Sequence, residues 1–487
     1  MSGQPNEARR RLLGGLALAA LPAVAAQPAP APLAAPVVTQ HTARMLAYTA
    51  TYTTYPLRDK AGQLQATMAA TSYVVDSLAA PTRPVLFLYN GGPGSSSSML
   101  QFGGLGPRRL SGADGALTMV DNQQHLLAEA DLVFIDPVGT GFNQVPAGGD
   151  GKPYWHADGD AEATLQVVRS WLKDHQRGAA PLYLCGESYG GFRTAMLCKS
   201  AGDLPIAGLI LVSPLLDLSG RTGALGNDQP YIINLPSMAV AAWYHGRTAR
   251  RGRTVAQVFE SARQFAQGDY ASALQLGRRL PAADTQRIAA SLSALTGLPQ
   301  QRIVDARLRI DGETWMNTLL DDPLLRIGSL DTRVIGSATR PRTPSQPTTD
   351  PSFPSYRTAG AIGDYFRREL NVPIDRPYVT LTLDVNRAWD YRPAPGSGSS
   401  FYIDGTTEVA NAMEKHPAMR LLVTGGYFDM SIPYLGSVYS VDHANIDPAR
   451  VQLAAMESGH SPYDNEATLH AFAEHLRTFL RGGGSTA

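Results

Sequence analysis

Five consecutive residues, Gly186-Glu187-Ser188-Tyr189-Gly190, have the types and spacing of a nucleophile turn. A short apolar run precedes them, so the G-x-S-x-G pattern falls where a strand could turn into a helix. The chemistry expected there is acyl transfer with Ser188 as the nucleophile. Glu187 is unusual, because a carboxylate beside the serine disfavours the negative charge that develops during acyl transfer. Either Ser188 is not catalytic, or Glu187 serves the substrate.

A serine nucleophile also needs a base and an acid that orients the base. In a sheet of the α/β-hydrolase type these follow in the chain order Ser, Asp, His. The run TGGYFDMSIPY places Asp429 just after a predicted strand, and MESGHSPY places His460 just after the next one. Three other aspartates lie within or beside irregular segments and are weaker candidates for the acid: Asp384, Asp390 and Asp404. The predicted triad is Ser188, Asp429 and His460.

Donors for the oxyanion are expected from two loops. One is the backbone N–H of Tyr189, the residue after the nucleophile. The run YNGGPGSSSS, which follows the predicted strand VLFLYN, offers the second at Gly92. A phosphate-binding role for this loop is disfavoured, because it lacks the G-K-S/T ending and Pro93 removes a donor.

Runs of consecutive apolar residues, separated by stretches long enough for helices, indicate the fold class. They begin at Val85, Asp131, Pro181, Ile206, Arg420 and Val451. Continuous apolar strands with this spacing predict a mainly parallel sheet covered on both faces. Two earlier runs, from Leu46 to Tyr55 and from Leu64 to Val75, predict an opening antiparallel pair. The expected fold class is α/β.

Between Leu216 and about Arg376 the spacing of the apolar residues becomes helical. Two sets of apolar residues each share one face of a predicted helix: Val255, Val258, Phe259, Ala262 and Phe265, and Ile288, Leu292 and Leu295. We interpret this interval as a helical cap inserted into the sheet domain. The expected ranges are 46–216 for the first part of the sheet domain, 217–375 for the cap and 376–487 for the second part. A proline-rich segment over 339–355 predicts an irregular loop, and apolar residues from Leu469 to Phe479 predict a closing helix.

The N-terminus differs in kind from the rest of the chain. Three arginines, Arg9 to Arg11, precede the apolar run LLGGLALAALPAVAA, which is too short to span a bilayer comfortably and ends in small residues. We expect an export signal over residues 1–26, of the Sec or twin-arginine type, and a proline- and alanine-rich tether over 27–45. A single N-terminal anchor is the alternative. No later segment has the length and apolarity of a membrane span, so a periplasmic or secreted protein is expected.

The composition of the chain limits the kinds of binding partner that are expected. The 487 residues carry 42 basic and 42 acidic side chains, and no basic stripe indicates nucleic acid. Removal of residues 1–26 would change the formal charge from 0 to −2. No cofactor or metal site is predicted, because no H-E-x-x-H motif or Cys/His cluster occurs. Cys185 and Cys198 are expected to be buried free thiols, and nothing in the sequence indicates an oligomeric state.

Together these motifs resemble one known family. NGGPGSSS, DPVGTGF, GESYGG, GYFDMSIPY and SGHSPY occur in the order and approximate spacing of the serine carboxypeptidases, peptidase family S10. The resemblance implies an α/β-hydrolase fold with a helical cap, and release of single residues from peptides with a free C-terminus. It also implies that Asn90 and Glu187 bind the terminal carboxylate of the substrate, and it points to a bacterial, exported branch.

Several residues depart from the family pattern. Tyr89 replaces the usual tryptophan, and Ser95 replaces a disulfide cysteine. Phe192-Arg193 and Ser461 are expected to touch the substrate pocket and to alter its preference.

Two other functions stay open at this point. An exported esterase or acyltransferase could use the same triad, because fold and triad do not set the substrate. A non-catalytic binding protein could have kept the pocket. Asn90 and Glu187 favour the carboxypeptidase, since an esterase has no need to bind a carboxylate.

Overall fold

The computed structural model describes residues 32–76, 81–112, 117–221, 223–249, 252–343, 348–353, 358–391 and 403–482. The expected export signal, residues 1–26, lies outside them. The strands are β1 Val37–Ala43, β2 Leu46–Arg58, β3 Leu64–Val75, β4 Val85–Tyr89, β5 Arg108–Ser111, β6 Thr118–Asp121, β7 Asp131–Asp136, β8 Leu182–Glu187, β9 Ile206–Val212, β10 Leu325–Ile327, β11 Ile335–Ser337, β12 Arg420–Gly426 and β13 Val451–Met456. The helices are α1 Ala157–Asp174, α2 Tyr189–Ser200, α3 Gln229–Tyr244, α4 Val255–Phe265, α5 Ala271–Leu276, α6 Ala282–Thr296, α7 Gln300–Asp305, α8 Gly312–Met316, α9 Thr358–Asp364, α10 Leu383–Ala388, α11 Thr406–Lys415, α12 Tyr434–Asp442 and α13 Glu466–Leu480.

Nine strands form one sheet in the order β1-β2-β3-β7-β4-β8-β9-β12-β13. The six from β7 to β13 run parallel, and β1 to β3 join one edge in antiparallel fashion. The carboxyl ends of parallel strands meet at one edge, where sites of α/β proteins assemble. The predicted α/β class with its opening antiparallel pair is therefore confirmed, and the architecture is that of an α/β-hydrolase.

The expected tether is wrong in its second half. Val37–Ala43 form β1, which pairs with β2 along its whole length. The alanine and proline bias of this region ends at Pro36, and the polar, β-branched run that follows suits an edge strand. The predicted tether was too long because it continued past Pro36, where the alanine and proline bias ends.

The sheet is buried on both faces because successive strand residues alternate between two apolar clusters. In β4, Phe87 contributes to one cluster and Leu88 to the other, and both are fully buried. Helices α1, α2 and α11 cover the first face, and α13 covers the second. Burial of α13 on this face matches the predicted closing helix.

The cap has its own apolar clusters, and both predicted helical faces are found there as α4 and α6. The expected range of 217–375 is too long, however. Ile362, Phe366 and Val372 pack in the same cluster as the sheet residues, so the end of this range belongs to the sheet domain. Helical periodicity alone does not reveal which partner a helix packs against.

Both cysteines are free thiols, as expected, with Cys185 buried and Cys198 half-buried. Among the described residues, no helix combines the length and the apolarity needed to cross a membrane.

Candidate active site

Ser188 lies at the tight turn between β8 and α2. Its backbone has a φ of 62° and a ψ of −126°, a strained combination for a residue with a side chain. The turn also needs glycine, because a Cβ at Gly186 would lie 2.1 Å from the carbonyl oxygen of Gly190. A hydrogen bond from the Ser188 N–H to the carbonyl oxygen of Val212, 2.9 Å long, ties the turn to the neighbouring strand. The local geometry is that of a nucleophile elbow.

Asp429 and His460 meet beyond the ends of two adjacent strands, β12 and β13. The Nδ1–H of His460 donates to Oδ2 of Asp429 over 2.7 Å. The other carboxylate oxygen, Oδ1, accepts the N–H groups of Ser431 and Ile432. Asp429 is fully buried, and these bonds fix both of its oxygens. The arrangement leaves Nε2 of His460 as the ring nitrogen that can accept a proton.

The backbone of His460 is held from two sides. Its N–H donates to the carbonyl oxygen of Leu330 over 2.6 Å, and its carbonyl oxygen accepts the Ser213 hydroxyl over 2.7 Å. Burial lowers the pKa of His460, but the Asp429 carboxylate and Glu187 raise it, and the net pKa lies above its ordinary value. The imidazolium form is therefore stabilised by the acid that orients the ring.

The loop after β4 lies against the nucleophile turn. Gly91 packs so closely that a Cβ there would lie 2.4 Å from the backbone nitrogen of Tyr189. Tyr189 is the first residue of α2, and the first N–H groups of a helix have no partner within it. Gly92 lines the same cavity as Ser188. The two expected oxyanion donors thus lie on adjoining loops at the nucleophile.

Glu187 is buried, with 1% of its surface exposed, and hydrogen bonds surround it. Oε2 accepts from the Asn90 side-chain amide over 2.6 Å and from the Tyr463 hydroxyl over 2.5 Å. Oε1 accepts from the Ser461 hydroxyl over 2.8 Å. Burial raises the pKa of Glu187, while His460 and these three donors lower it, and the net pKa lies above the ordinary value for glutamate. The pocket therefore shifts Glu187 toward its neutral form.

Sequence reasoning assigned no role to Tyr463 and placed Ser461 only at the pocket. Both follow His460 in the quoted run SGHSPY, so their position beside the base was the available signal. The structure turns both hydroxyls onto Glu187. They connect the loop that carries the base to the acid beside the nucleophile.

Arg193 does not touch the substrate cavity, which corrects the expectation for this residue. It is fully buried on α2 and pairs with Asp160 of α1, with an Nε to Oδ2 distance of 2.6 Å. Its Nη1 also donates to the backbone carbonyl oxygen of Asn90 over 2.5 Å. Phe192 likewise packs in the apolar cluster below the sheet. A single sequence does not distinguish an arginine that faces a ligand from one paired inside the protein.

Most of the predicted site residues line one cavity of about 210 Å³. Ser188, His460, Glu187, Asn90 and Gly92 all line it. Asp429 and Tyr189 touch it only through their neighbours, by the hydrogen bond to His460 and the close approach to Gly91. The structure therefore brings all seven predicted residues together at the carboxyl edge of the sheet.

Comparison with known proteins supports a family assignment. A family model described as serine carboxypeptidase matches residues 65–201, which include Asn90, Gly92 and the nucleophile turn but neither Asp429 nor His460. Serine carboxypeptidase-like 36 of Arabidopsis thaliana is 33% identical over 120 residues, which cover 24% of each chain. A serine carboxypeptidase of Caenorhabditis elegans is 29% identical over 178 residues, which cover 35% of this chain and 29% of that protein. The chain thus spans under a third of these relatives.

Solved structures overlap more widely but at low similarity. An esterase from Rhodococcus sp. is 13% identical, with 92% of this chain and 100% of that chain covered and a TM-score of 0.36. A peroxisomal alpha-beta-hydrolase from Saccharomyces cerevisiae is 11% identical, with 90% and 92% covered and a TM-score of 0.38. The fold class rests on the strand order, and the matched segment, residues 65–201, is similar to the serine carboxypeptidase family, peptidase family S10.

Proposed function

We propose that this protein is a serine carboxypeptidase that removes single residues from the C-termini of peptides. The observation that carries the proposal is the buried Glu187 carboxyl group, joined to Asn90 in the same cavity as Ser188. A general esterase gains nothing from a carboxyl group beside its nucleophile. A substrate with a free carboxylate does, provided that Glu187 is protonated.

The proposed reaction begins when Nε2 of His460 takes the proton of the Ser188 hydroxyl. The oxygen attacks the carbonyl carbon of the last peptide bond, and the N–H groups of Gly92 and Tyr189 stabilise the oxyanion. His460 then gives its proton to the leaving amine, and the C-terminal residue departs. Water attacks the acyl-enzyme with His460 again as the base, which releases the shortened peptide. Asp429 holds the ring and stabilises its charged form.

Recognition of the carboxylate is assigned to Asn90 and Glu187. Two carboxylates repel each other when both are charged, but one shared proton makes a strong hydrogen bond. Protonated Glu187 would donate to the terminal carboxylate of the substrate. A neutral Glu187 also removes the repulsion of the developing oxyanion, which explains how an acid can precede the nucleophile.

The test compares three substrates that share one acyl group: a blocked dipeptide, its C-terminal amide and its ester. We expect release of the terminal residue from the dipeptide, far slower cleavage of the amide, and mass spectra of longer peptides that show loss of one residue at a time. Equal cleavage of dipeptide and amide would overturn the proposal. Cleavage of the ester alone would instead support an esterase or acyltransferase.

The Glu187→Gln variant tests whether the protonation of Glu187 controls peptide cleavage. Glutamine cannot change its protonation, so peptide cleavage should lose the decline that the parent shows as pH rises through the Glu187 pKa. Cleavage of the ester should keep its pH profile. An unchanged profile for the peptide would show that Glu187 does not bind the carboxylate.

We also propose export through residues 1–26. The three arginines and the short apolar run support this proposal. Mass spectrometry of the N-terminus after expression of the full chain in a bacterium should find cleavage near Ala26, in the periplasm or the medium. Replacement of Arg9-Arg10 by lysines should block export only for a twin-arginine signal. An uncleaved cytoplasmic chain would refute export.

A further inference from the structure

We infer that the residue removed by this enzyme carries an uncharged, apolar side chain. The inference rests on the proposed function and names the substrate class for the same site. Five half-buried apolar side chains face the cavity and are called the apolar wall: Met99, Leu330, Phe353, Leu381 and Leu383. Asn90 and Glu187 line this cavity too, and the inference places the side chain of the residue whose carboxylate they bind against the wall.

Backbone hydrogen bonds attach one part of the wall to the triad. Leu330 accepts the N–H of His460 at its carbonyl oxygen, and the preceding residue, Ser329, accepts the N–H groups of Met430 and Ser431. The Leu330 N–H donates to Ser352, one residue before Phe353. The carboxylate of Asp350 accepts bonds from both Ser329 and Ser352, which joins the Leu330 loop to the Phe353 segment. Leu330 and Phe353 are therefore fixed relative to the base.

A second part of the wall is attached to the oxyanion loop. Leu381 pairs with Ser95 in an isolated antiparallel bridge, and the N–H of Thr382 donates to the carbonyl oxygen of Gly94 over 2.8 Å. The side-chain amide of Asn386 donates to the carbonyl oxygen of Pro93 over 3.1 Å. The wall is thus built into the site, and its position does not depend on a bound substrate.

Charge decides which terminal side chains the cavity accepts. Among the described residues that line it, the titratable groups are Glu187 and His460. Both already have polar partners in Asn90, Ser461, Tyr463 and Asp429, and both are assigned to the reaction. The charged side chain of a terminal lysine or aspartate would lose its hydration in the cavity and would find no opposite charge there. The side chain of leucine or phenylalanine would instead bury apolar surface against the wall.

The experiment measures kcat/KM for blocked dipeptides that differ only in the terminal residue: Leu, Phe, Ala, Lys and Asp. We expect Leu and Phe to exceed Lys and Asp by about 10²-fold or more, with Ala between them. Comparable values for Lys and Leu would overturn the inference while terminal-residue release still supported the proposed function. Absence of release from all five dipeptides would overturn both.

Variants test the wall itself. Leu381→Asp should lower kcat/KM for the Leu dipeptide at least about 10-fold and shift the Leu-to-Lys ratio toward Lys, because it places a carboxylate in the wall. Leu276→Asp is the matched control, since Leu276 lies on α5, 44% exposed and outside the cavity lining, and should leave the ratio unchanged. The rate at which a fluorophosphonate labels Ser188 reports whether each variant keeps a folded triad. An unchanged ratio in a Leu381→Asp protein that labels normally would refute the wall.

Discussion

Glu187 is held between two opposing influences at the scale of a single residue. Burial favours its neutral form, and hydrogen bonds from Asn90, Ser461 and Tyr463 favour its charged form. Burial prevails, so the pKa of Glu187 is raised. Ser461 stands where the family has a different residue, and its hydroxyl is one of the groups that restrain this rise.

Removal of the Ser461 hydroxyl should therefore change the pH range of peptide cleavage. That hydroxyl lowers the pKa of Glu187, so Ser461→Ala should raise it further. In the proposed reaction, peptide cleavage requires protonated Glu187 and declines as pH rises through that pKa, so the decline should begin at a higher pH in this variant. The pH dependence of kcat/KM for a dipeptide measures this shift. The control Ser261→Ala, at an exposed position on α4, should leave the pH of the decline unchanged. A decline that begins at a lower pH in Ser461→Ala would contradict the prediction.

Two loops define the site at the scale of elements: the one after β4, and the turn between β8 and α2. Gly91 forms their contact, and Arg193 joins them from below through the carbonyl oxygen of Asn90. The expected oxyanion donors, Gly92 and Tyr189, lie on these two loops. Their spacing therefore depends in part on Arg193, which lies outside the cavity lining.

A methyl group at Gly91 should separate the loops. Its Cβ would lie 2.4 Å from the Tyr189 nitrogen, which forces one loop to move away from the oxyanion position. We expect Gly91→Ala to lower kcat about 10²-fold for peptide and ester alike, comparable to the loss of one oxyanion donor. Gly178→Ala, where a Cβ meets nothing within 4 Å, is the control. Full activity in Gly91→Ala would exclude the close contact.

The pair of Arg193 and Asp160 should have separable effects on stability and activity. Arg193→Met alone leaves Asp160 buried without its partner and should lower the free energy of unfolding by about 3–5 kcal/mol. The double variant Arg193→Met/Asp160→Leu should recover most of that stability but not activity, since the hydrogen bond to Asn90 stays absent. Denaturant unfolding and kcat/KM measure the two effects. Activity restored with stability would mean that Arg193 does not position the loop, and the exposed Arg287→Met serves as the control.

Sequence reasoning succeeded for elements whose residues carry their own signal. The apolar runs gave the parallel strands, and the order of Ser188, Asp429 and His460 gave the triad candidates that the structure brings together. It failed where the outcome depends on distant partners. The β1 strand is recognised only through its pairing with β2. The residues near Phe366 have helical spacing like the cap, but they pack against the sheet. The burial of Arg193 follows from its pairing with Asp160, which is distant in sequence.

At the scale of the whole molecule, the residues on both sides of the expected triad acid, Asp429, pack against the cap. Phe428 packs in one cap cluster with α4, and Met430 packs in the other with α3, while Asp429 lies between them. The stability of the cap and the position of the acid are therefore linked. This stability comes from packing, because both cysteines are free.

Reducing agents should accordingly leave the thermal stability unchanged. Cys185 and Cys198 are the two cysteines of the chain, and both are free thiols. We expect the same Tm with and without a reductant, measured by circular dichroism. Cys198→Ser, at the half-buried position, is the control, because it cannot form a disulfide between two chains through this residue. A lower Tm in reductant for the parent alone would reveal a bond that stabilises the fold.

The backbone attachment of the apolar wall has a consequence for how the enzyme can diverge. Hydrogen bonds from main-chain atoms hold Leu330 and Leu381 in place, and those bonds persist when a side chain is replaced by most others. Four of the five wall residues also lie outside the segment that matches the family. If the proposed function is right, point substitutions at these positions should change which terminal residue is preferred while leaving the triad residues untouched.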